Sequence, residues 1–224
     1  MLSPGIQQVQ KFHQVVSKEI NSEYLLYVPK AYESNPQKHW PCILFLHGAG
    51  ERGRDLNRVK SQGLAKMLQG REDFPFLVVS PQCSPSTGWH IRVLNDVLNE
   101  AVSRYRIDSD RLYVTGLSMG GFGTWSLAIA YPSRFAAIAP ICGGGDPNAV
   151  CVIQHLPVWA FHGAKDIVVP IEYSEVMVET LKHCGGDVRF TVYPQAGHDS
   201  WTATYANQQL YDWFLEHRRT EVNS

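Results

Sequence analysis

The segment Gly116-Leu-Ser118-Met-Gly120 places a serine between two glycines, directly after an apolar stretch. A serine hydroxyl becomes an effective nucleophile when a neighbouring base removes its proton. A sharp turn from a strand into a helix lifts such a hydroxyl clear of a sheet, and the flanking glycines allow the turn to close. In a chain with 18 glycines the bare pattern has little weight. Its place between a strand pattern and a helix pattern favours a nucleophile elbow over an ordinary glycine-rich turn.

Such a serine needs a histidine as base and a carboxylate that orients the histidine. In this type of sheet both follow the serine in the chain, first the carboxylate and then the histidine. Asp166 and His198 each lie in a loop just after an apolar, strand-like segment. We predict that His198 takes the proton of Ser118, and that Asp166 orients His198. Asp146 follows the preceding strand and stays an alternative to Asp166, whereas Asp199 is expected to point elsewhere.

Two other histidines follow predicted strands and precede a glycine. His47 and His162 are interpreted as structural anchors of their loops rather than as bases. The loop after His47 reads Gly48-Ala49-Gly50-Glu51-Arg52-Gly53. It lacks the Gly-Lys-Ser/Thr ending of a phosphate-binding loop.

Acyl transfer also requires fixed N–H donors for the oxyanion that forms on the substrate. We predict the N–H of Met119 as one donor, because this residue follows the nucleophile. The N–H of Ala49 is the preferred second donor, and that of Gly50 is its rival.

Three residues are candidates for the substrate pocket. Trp89 and Trp201 lie on loops at the same edge of the predicted sheet, where an aromatic side chain can form a pocket wall, and Gly50 allows close approach of a substrate. Each tryptophan has the alternative role of covering the edge of the core. Cys83 has no base near it in sequence and is interpreted as a bystander thiol.

The cysteine count and the N-terminal segment bear on the compartment. Five cysteines without a Cys-x-x-Cys pattern predict reduced thiols in a cytoplasmic protein, with a Cys142–Cys151 bridge as the alternative for an exported one. The first eight residues have neither a basic nor a long apolar stretch, so no signal peptide is expected. No apolar run reaches the roughly 18 residues that span a bilayer.

Composition limits the class of protein. Hydrophobic residues make up 44% and charged residues 18% of 224 residues, which excludes intrinsic disorder, collagen and coiled coil. The net charge of −1 argues against a nucleic acid or an anionic membrane as the main partner. Without repeats or polar linkers, we predict a single domain over 1–224. No metal and no cofactor are predicted.

The hydrophobic patterns predict an alternation of strands and helices. An alternating segment at 6–29, around Asn21-Ser22-Glu23, is typical of an antiparallel hairpin at a sheet edge. The nearly continuous apolar segments indicate parallel strands that are buried on both faces. These predicted strands are 41–46, 74–80, 111–115, 135–141, 156–161 and 188–193, and the predicted helices are 93–105, 119–131, 171–183 and 202–217. We therefore predict an α/β fold with a mostly parallel central sheet, helices on both faces, and ligands at the carboxyl ends of the strands.

Five motifs occur in order: LHGAGERG at 46–53, PQC at 81–83 with Trp89, GLSMGG at 116–121, HGAKD at 162–166 and GH at 197–198. Together they resemble the compact α/β-hydrolase carboxylesterases of the phospholipase/carboxylesterase and dienelactone-hydrolase-like kind, often labelled predicted peptidases because they look like the catalytic domain of prolyl oligopeptidase. The resemblance implies an α/β-hydrolase fold with Ser118, Asp166 and His198 as the triad.

The spacing of 48 residues between Ser118 and Asp166 leaves no room for a helical cap, which predicts an open site. We expect a serine carboxylesterase that acts on small short-chain or aryl esters. Dienelactone hydrolases proper use a cysteine nucleophile, and Ser118 departs from that pattern. The alternatives are a serine peptidase or amidase, and a non-catalytic binding protein of the same fold.

Overall fold

A mixed sheet is the centre of the computed structural model, which describes residues 4–5, 7–16 and 18–219, with the side chains at 9, 12–16 and 18–21 left out of the description. Its strands among the described residues are β1 (Gln7–Val16), β2 (Lys18–Tyr27), β3 (Trp40–Leu46), β4 (Leu77–Pro81), β5 (Ile107–Leu117), β6 (Ala137–Ile141), β7 (Val158–Gly163) and β8 (Val188–Tyr193). Their order in the sheet is β1-β2-β4-β3-β5-β6-β7-β8. The β1–β2 and β2–β4 pairs are antiparallel, and all other pairs are parallel. The predicted mostly parallel sheet with an antiparallel N-terminal edge is confirmed.

Helices cover both faces of this sheet. They are α1 (Gly63–Met67), α2 (Ile91–Arg104), α3 (Met119–Ala130), α4 (Glu172–His183), α5 (Trp201–Ala206) and α6 (Gln208–Glu216). Helices α2, α3 and α4 bury apolar side chains in one core layer. Helices α1, α5 and α6 contribute to the layer on the opposite face. Strands buried on both sides explain why their sequences read as continuous apolar runs.

Two local predictions are wrong in detail. In the β1–β2 pair Val16 lies opposite Lys18, so the predicted turn residues Asn21, Ser22 and Glu23 lie within β2. The predicted helix over 202–217 is divided into α5 and α6 at Asn207. The Asn207 side chain accepts a hydrogen bond from the backbone N–H of Gln209 at 3.0 Å, which starts a new helix. Helix α1 was not predicted.

The predicted absence of a cap is confirmed for the connection between β6 and β7. This connection contains one 3-10 turn, Val150–Ile153, and then enters β7 directly. The loops that follow β5, β7 and β8 meet at the carboxyl ends of the parallel strands.

The prediction of five reduced cysteines is wrong in the structure. A disulfide joins Cys151, in the 3-10 turn Val150–Ile153, to Cys184, which directly follows α4, with 5.6 Å between their Cα atoms. The alternative partner, Cys142, is free and buried. The end of α4 packs against the turn, whereas the thiol of Cys142 lies 3.3 Å from the backbone nitrogen of Ser118.

Among the described residues, no helix is both long enough and apolar enough to cross a lipid bilayer.

Candidate active site

The turn at Ser118 has strained backbone geometry. Ser118 separates the end of β5 from the start of α3 and has φ 53° and ψ −117°, a region that residues other than glycine rarely adopt. A Cβ atom at Gly116 would lie 2.5 Å from the carbonyl oxygen of Gly120. A Cβ atom at Gly120 would lie 1.9 Å from the carbonyl oxygen of Leu46. Both glycines are therefore required for the turn to pack against β3.

Three side chains from three loops form a continuous hydrogen-bonded chain. The Nε2 atom of His198 lies 3.0 Å from Oγ of Ser118. The Nδ1 atom of His198 lies 2.7 Å from Oδ2 of Asp166. In this arrangement Nδ1–H donates to the carboxylate and Nε2 is free to accept the serine proton. The structure brings together Ser118, Asp166 and His198, the three residues predicted from the sequence.

The carboxylate of Asp166 is held on both oxygens. Its Oδ1 accepts hydrogen bonds from the backbone N–H groups of Val168 and Val169, each at 2.9 Å. Burial alone would raise the pKa of Asp166, but the hydrogen bonds from His198 and from the two backbone N–H groups outweigh it and lower this pKa. Asp166 therefore stays ionised in its contact with Nδ1 of His198.

The competing carboxylates cap local turns. Asp146 is exposed and accepts a hydrogen bond from the backbone N–H of Asn148 at 2.9 Å. Asp199 accepts from the backbone N–H and the hydroxyl of Thr202, at 3.0 and 2.9 Å, and so caps the start of α5.

The loops that carry Asp166 and His198 are joined through their backbones. The N–H of Lys165 donates to the carbonyl of Ala196 at 2.9 Å. A Cβ atom at Gly163 would lie 2.1 Å from the carbonyl oxygen of Gly197, so the close approach of the loops needs glycine there.

The loop after β3 is organised by two buried polar side chains. Glu51 accepts a hydrogen bond from the backbone N–H of Gly48 at 2.9 Å. His47 donates from Nδ1 to the carbonyl of Gly48 at 2.6 Å, and its Nε2 accepts from the backbone N–H of Cys83 at 2.9 Å. Burial lowers the pKa of His47 to about 4, so the ring is neutral at pH 7. His47 thus anchors this loop.

The positions of the predicted oxyanion donors follow from the helix starts. In the 3-10 turn Ala49–Glu51, the N–H of Glu51 donates to the carbonyl of Gly48. The N–H groups of Ala49 and Gly50 come earlier in the turn, where a backbone N–H has no acceptor within the turn itself. Met119 is the first residue of α3, where the backbone N–H likewise has no partner within the helix. Ala49 and Gly50 are exposed.

The predicted pocket residues lie on two sides of this arrangement. The ring of Trp89 is tilted by 56° against that of His47 with 4.6 Å between centroids, and its Nε1–H donates to the His47 carbonyl at 3.3 Å. Trp201 meets the ring of His198 edge-on, with 5.2 Å between centroids, and its Nε1–H donates to the side chain of Gln62. Gly50 has open space where a Cβ atom would be.

Cys142, Asp166 and His198 form a group of potential metal ligands, with ligand-type atoms within 4.8 Å of one another. Burial raises the pKa of the Cys142 thiol to about 12, so this group stays protonated. Asp166 and His198 are already engaged in the hydrogen-bonded chain to Ser118. We therefore assign the group to that chain and not to a metal.

Two contacts of the site are not predicted from the sequence. Glu51 caps Gly48, and His162 lies 3.3 Å from Oδ2 of Asp166. A His-Gly pair at the end of an apolar segment is the signal that marks His47 and His162 as anchors, but it does not indicate which groups they contact.

Comparison with known proteins decides the family. Residues 82–209, more than half of the chain, match the family model described as phospholipase/carboxylesterase. The chain belongs to the phospholipase/carboxylesterase family. The α/β-hydrolase resemblance predicted from the five motifs is thereby confirmed, and the chain is a member of an esterase-type hydrolase family.

Relatives of this family member include several esterases. A thermostable esterase of known crystal structure is 35% identical in sequence to this chain and superimposes on it with a TM-score of 0.82. The match covers 95% of this chain and 63% of the esterase chain. The poly(3-hydroxyoctanoate) depolymerase of Pseudomonas fluorescens is 24% identical over 212 residues, which cover 81% of this chain and 76% of that protein. A probable feruloyl esterase C of Aspergillus terreus is 29% identical over 156 residues, covering 67% of this chain and 57% of that protein. The chain thus spans less than two thirds of the thermostable esterase and of the feruloyl esterase.

Proposed function

We propose that the protein is a serine carboxylesterase that works through an acyl-enzyme on Ser118. The observation that carries this proposal is the position of His198, with one ring nitrogen 3.0 Å from Oγ of Ser118 and the other 2.7 Å from Oδ2 of Asp166. This is the geometry of a nucleophile, a base and the group that orients the base.

The proposed reaction has two halves. In the first, Oγ of Ser118 attacks the ester carbonyl carbon while His198 takes the hydroxyl proton, and the carbonyl oxygen becomes an oxyanion. The N–H groups of Met119 and of Ala49 or Gly50 donate to that oxyanion. The oxyanion then re-forms the carbonyl, the carbon–alkoxy bond breaks, and the imidazolium of His198 gives its proton to the departing alkoxy oxygen, which leaves as the alcohol. In the second half, water replaces the serine oxygen by the same steps, which releases the acid and restores Ser118.

The surroundings of Asp166 support small apolar or aryl esters as substrates. Ile167 and Val168 directly follow Asp166 and are 94% and 65% exposed, and Tyr173 nearby is 51% exposed. Phe122, near the start of α3, packs edge-on against Tyr173 with 5.6 Å between centroids. An apolar rim without a cap suits esters that approach from solvent. The thermostable esterase, the depolymerase and the feruloyl esterase among its relatives are named for ester chemistry.

A labelling and rate experiment tests the proposal. The wild-type protein should hydrolyse p-nitrophenyl butyrate and form a covalent adduct with a fluorophosphonate at Ser118. S118A should lose both, while S34A, at an exposed serine, should keep both. Activity in S118A close to wild type would overturn the proposal, since triad members act as a unit. No adduct and no turnover in the wild-type protein would favour the binding-protein alternative.

Matched substrates separate an esterase from a peptidase. An amide and an ester with the same acyl group should differ strongly in kcat/KM, with the ester faster, because an amine is a poorer leaving group than an alcohol. Comparable rates on both would favour the peptidase or amidase alternative.

The cytoplasmic location predicted from the sequence remains a proposal. The Cys151–Cys184 disulfide bears against it and favours an oxidising compartment, because disulfides persist mainly there. Cell fractionation with an antibody to the protein would decide between them.

A further inference from the structure

The side chain of His162 lies fully buried behind the triad, at the end of β7. Its Nε2 atom is 2.9 Å from the carbonyl oxygen of Val169 and 3.3 Å from Oδ2 of Asp166. Its Nδ1 atom is 2.7 Å from Oγ of Ser174 on α4. The mechanism above does not use this histidine, although it shares a carboxylate oxygen with His198.

A count of hydrogens determines what each ring nitrogen of His162 must do. The hydroxyl of Ser174 donates its hydrogen to the carbonyl of Gly143 at 2.7 Å, so it can only accept from Nδ1 of His162. The carbonyl of Val169 and the carboxylate of Asp166 also only accept, so Nε2 must carry a hydrogen too. Both ring nitrogens therefore act as donors, which only an imidazolium can do.

His47 provides a contrast within the same protein. Its Nδ1 faces a carbonyl oxygen, but its Nε2 faces the backbone N–H of Cys83. One acceptor and one donor fit a neutral ring. Each of the two histidines lies at the carboxyl end of a parallel strand, His47 just after β3 and His162 within the last two residues of β7, yet their partners require different numbers of protons.

We propose that His162 is a positioning residue, a buried imidazolium that pairs with Asp166 and fixes the carboxylate for His198. Its catalytic role rests on the proposed function, whereas its protonation does not. The backbone N–H groups of Val168 and Val169 donate to Oδ1, and ring nitrogens of His198 and His162 contact Oδ2. These four contacts hold the carboxylate in one orientation. The positive charge of His162 also offsets the negative charge of Asp166.

The groups that face the His162 ring come from three elements. Its own loop supplies the carboxylate of Asp166 and the carbonyl of Val169. Helix α4 supplies the hydroxyl of Ser174, and the loop after β6 supplies the carbonyl of Gly143 behind it. His198 interacts with the ring through Asp166.

Nitrogen NMR of the protein labelled with ¹⁵N-histidine tests the protonation directly. Both ring nitrogens of His162, assigned by their loss in H162Q, should carry hydrogens throughout the neutral pH range. A ring nitrogen without hydrogen there would overturn the proposal. The measurement needs no turnover, and it can be repeated in S118A. Its failure is therefore distinct from a failure of the proposed esterase activity.

Kinetics test the positioning role. In H162Q, kcat for p-nitrophenyl butyrate should fall roughly 10- to 100-fold with KM little changed, because the triad loses its alignment while the surface of the pocket is intact. The acid limb of the kcat/KM profile should move to higher pH, because the positive charge is gone. H155Q, at an exposed histidine just before β7, is the matched control and should change neither.

A second variant covers the case in which H162Q does not fold. S174A removes the acceptor of Nδ1, so the ring should lose that proton, and the acid limb should move in the same direction. A loss of kcat in the variants without movement of the acid limb would show a merely structural role and overturn the proposal.

Discussion

Gly120 lies against the carbonyl oxygen of Leu46 so closely that a Cβ atom would come within 1.9 Å of it. This contact joins the first turn of α3, which follows the nucleophile, to the end of β3, which leads into the loop with the candidate oxyanion donors. The distance between these two parts of the site is therefore set by a backbone contact that has no room for a side chain.

Replacement of Gly120 by alanine should disrupt this contact. Backbone atoms have to move to admit the methyl group, so we expect G120A to lose roughly 3 kcal/mol or more of unfolding free energy, with activity largely lost. Chemical denaturation measures the stability. G88A is the matched control, because a Cβ atom at Gly88 meets no atom within 4 Å. Equal stability of G120A and wild type would contradict this reading of the elbow.

Asp166 and Asp146 are both candidates from the sequence for the residue that orients His198. Replacement by asparagine should affect activity differently at the two positions. D166N should lower kcat roughly 10³- to 10⁴-fold, because an amide cannot hold His198 in the required tautomer. D146N should remain within a few-fold of wild type, because Asp146 is exposed and caps only a local turn. The comparison of kcat for p-nitrophenyl butyrate in both variants checks this. The reverse order would assign the role to Asp146.

The proposed second oxyanion donor is a backbone N–H, so a proline at that position removes it. A49P lacks the N–H of Ala49, and the extended conformation of Gly48, φ −80° and ψ −177°, is compatible with a following proline. We expect kcat to fall about 10²- to 10³-fold. A49G keeps the N–H and should stay close to wild type. Full activity in A49P would shift the role to Gly50.

Stability should depend on pH through His47. The pKa of this ring is lowered from its usual value of 6.5 to about 4 by burial, so the unfolded chain binds a proton that the folded protein does not. The stability is complete above pH 6.5 and is lost between 6.5 and 4, by about 3 kcal/mol. The lowered pKa of Asp166 adds a further loss at more acidic pH.

The measurement is urea denaturation at a series of pH values. H47Q should be less stable at neutral pH and show a flatter dependence between pH 6.5 and 4. H39Q, at an exposed histidine, serves as the control and should follow the wild-type curve. An unchanged slope in H47Q would exclude His47 as its cause.

The Cys151–Cys184 disulfide predicts the number of free thiols in the protein. Thiol titration of the unfolded protein without reductant should find three free thiols, those of Cys42, Cys83 and Cys142. The bridge between Cys151 and Cys184 closes a separation of 33 residues, for which loss of chain entropy in the unfolded state predicts roughly 3 to 4 kcal/mol of stabilisation. Reductant should lower the Tm of wild type and leave that of C151S/C184S unchanged. Five titratable thiols would contradict the bridge.

Much of the site can be read from local sequence. The glycines around Ser118 are needed within one turn, and each apolar strand ends close to the residue that it presents, so Ser118, Asp166 and His198 can be located from short segments. The continuous apolar runs likewise predict the parallel strands, because burial on both faces acts on every residue of a strand. These signals depend on neighbours in the chain.

Other features depend on which distant segments meet. Asp166 and Asp146 each follow a strand, and only the packing of the loops brings one of them to His198. Cys184 meets Cys151 because α4 ends beside a 3-10 turn, and His162 reaches both Asp166 and Ser174 because α4 crosses the end of β7. The sequence determined the chemical groups and the strands that carry them. The tertiary structure decided their partners, because contacts between loops and helices depend on the packing of the whole sheet and have no local pattern.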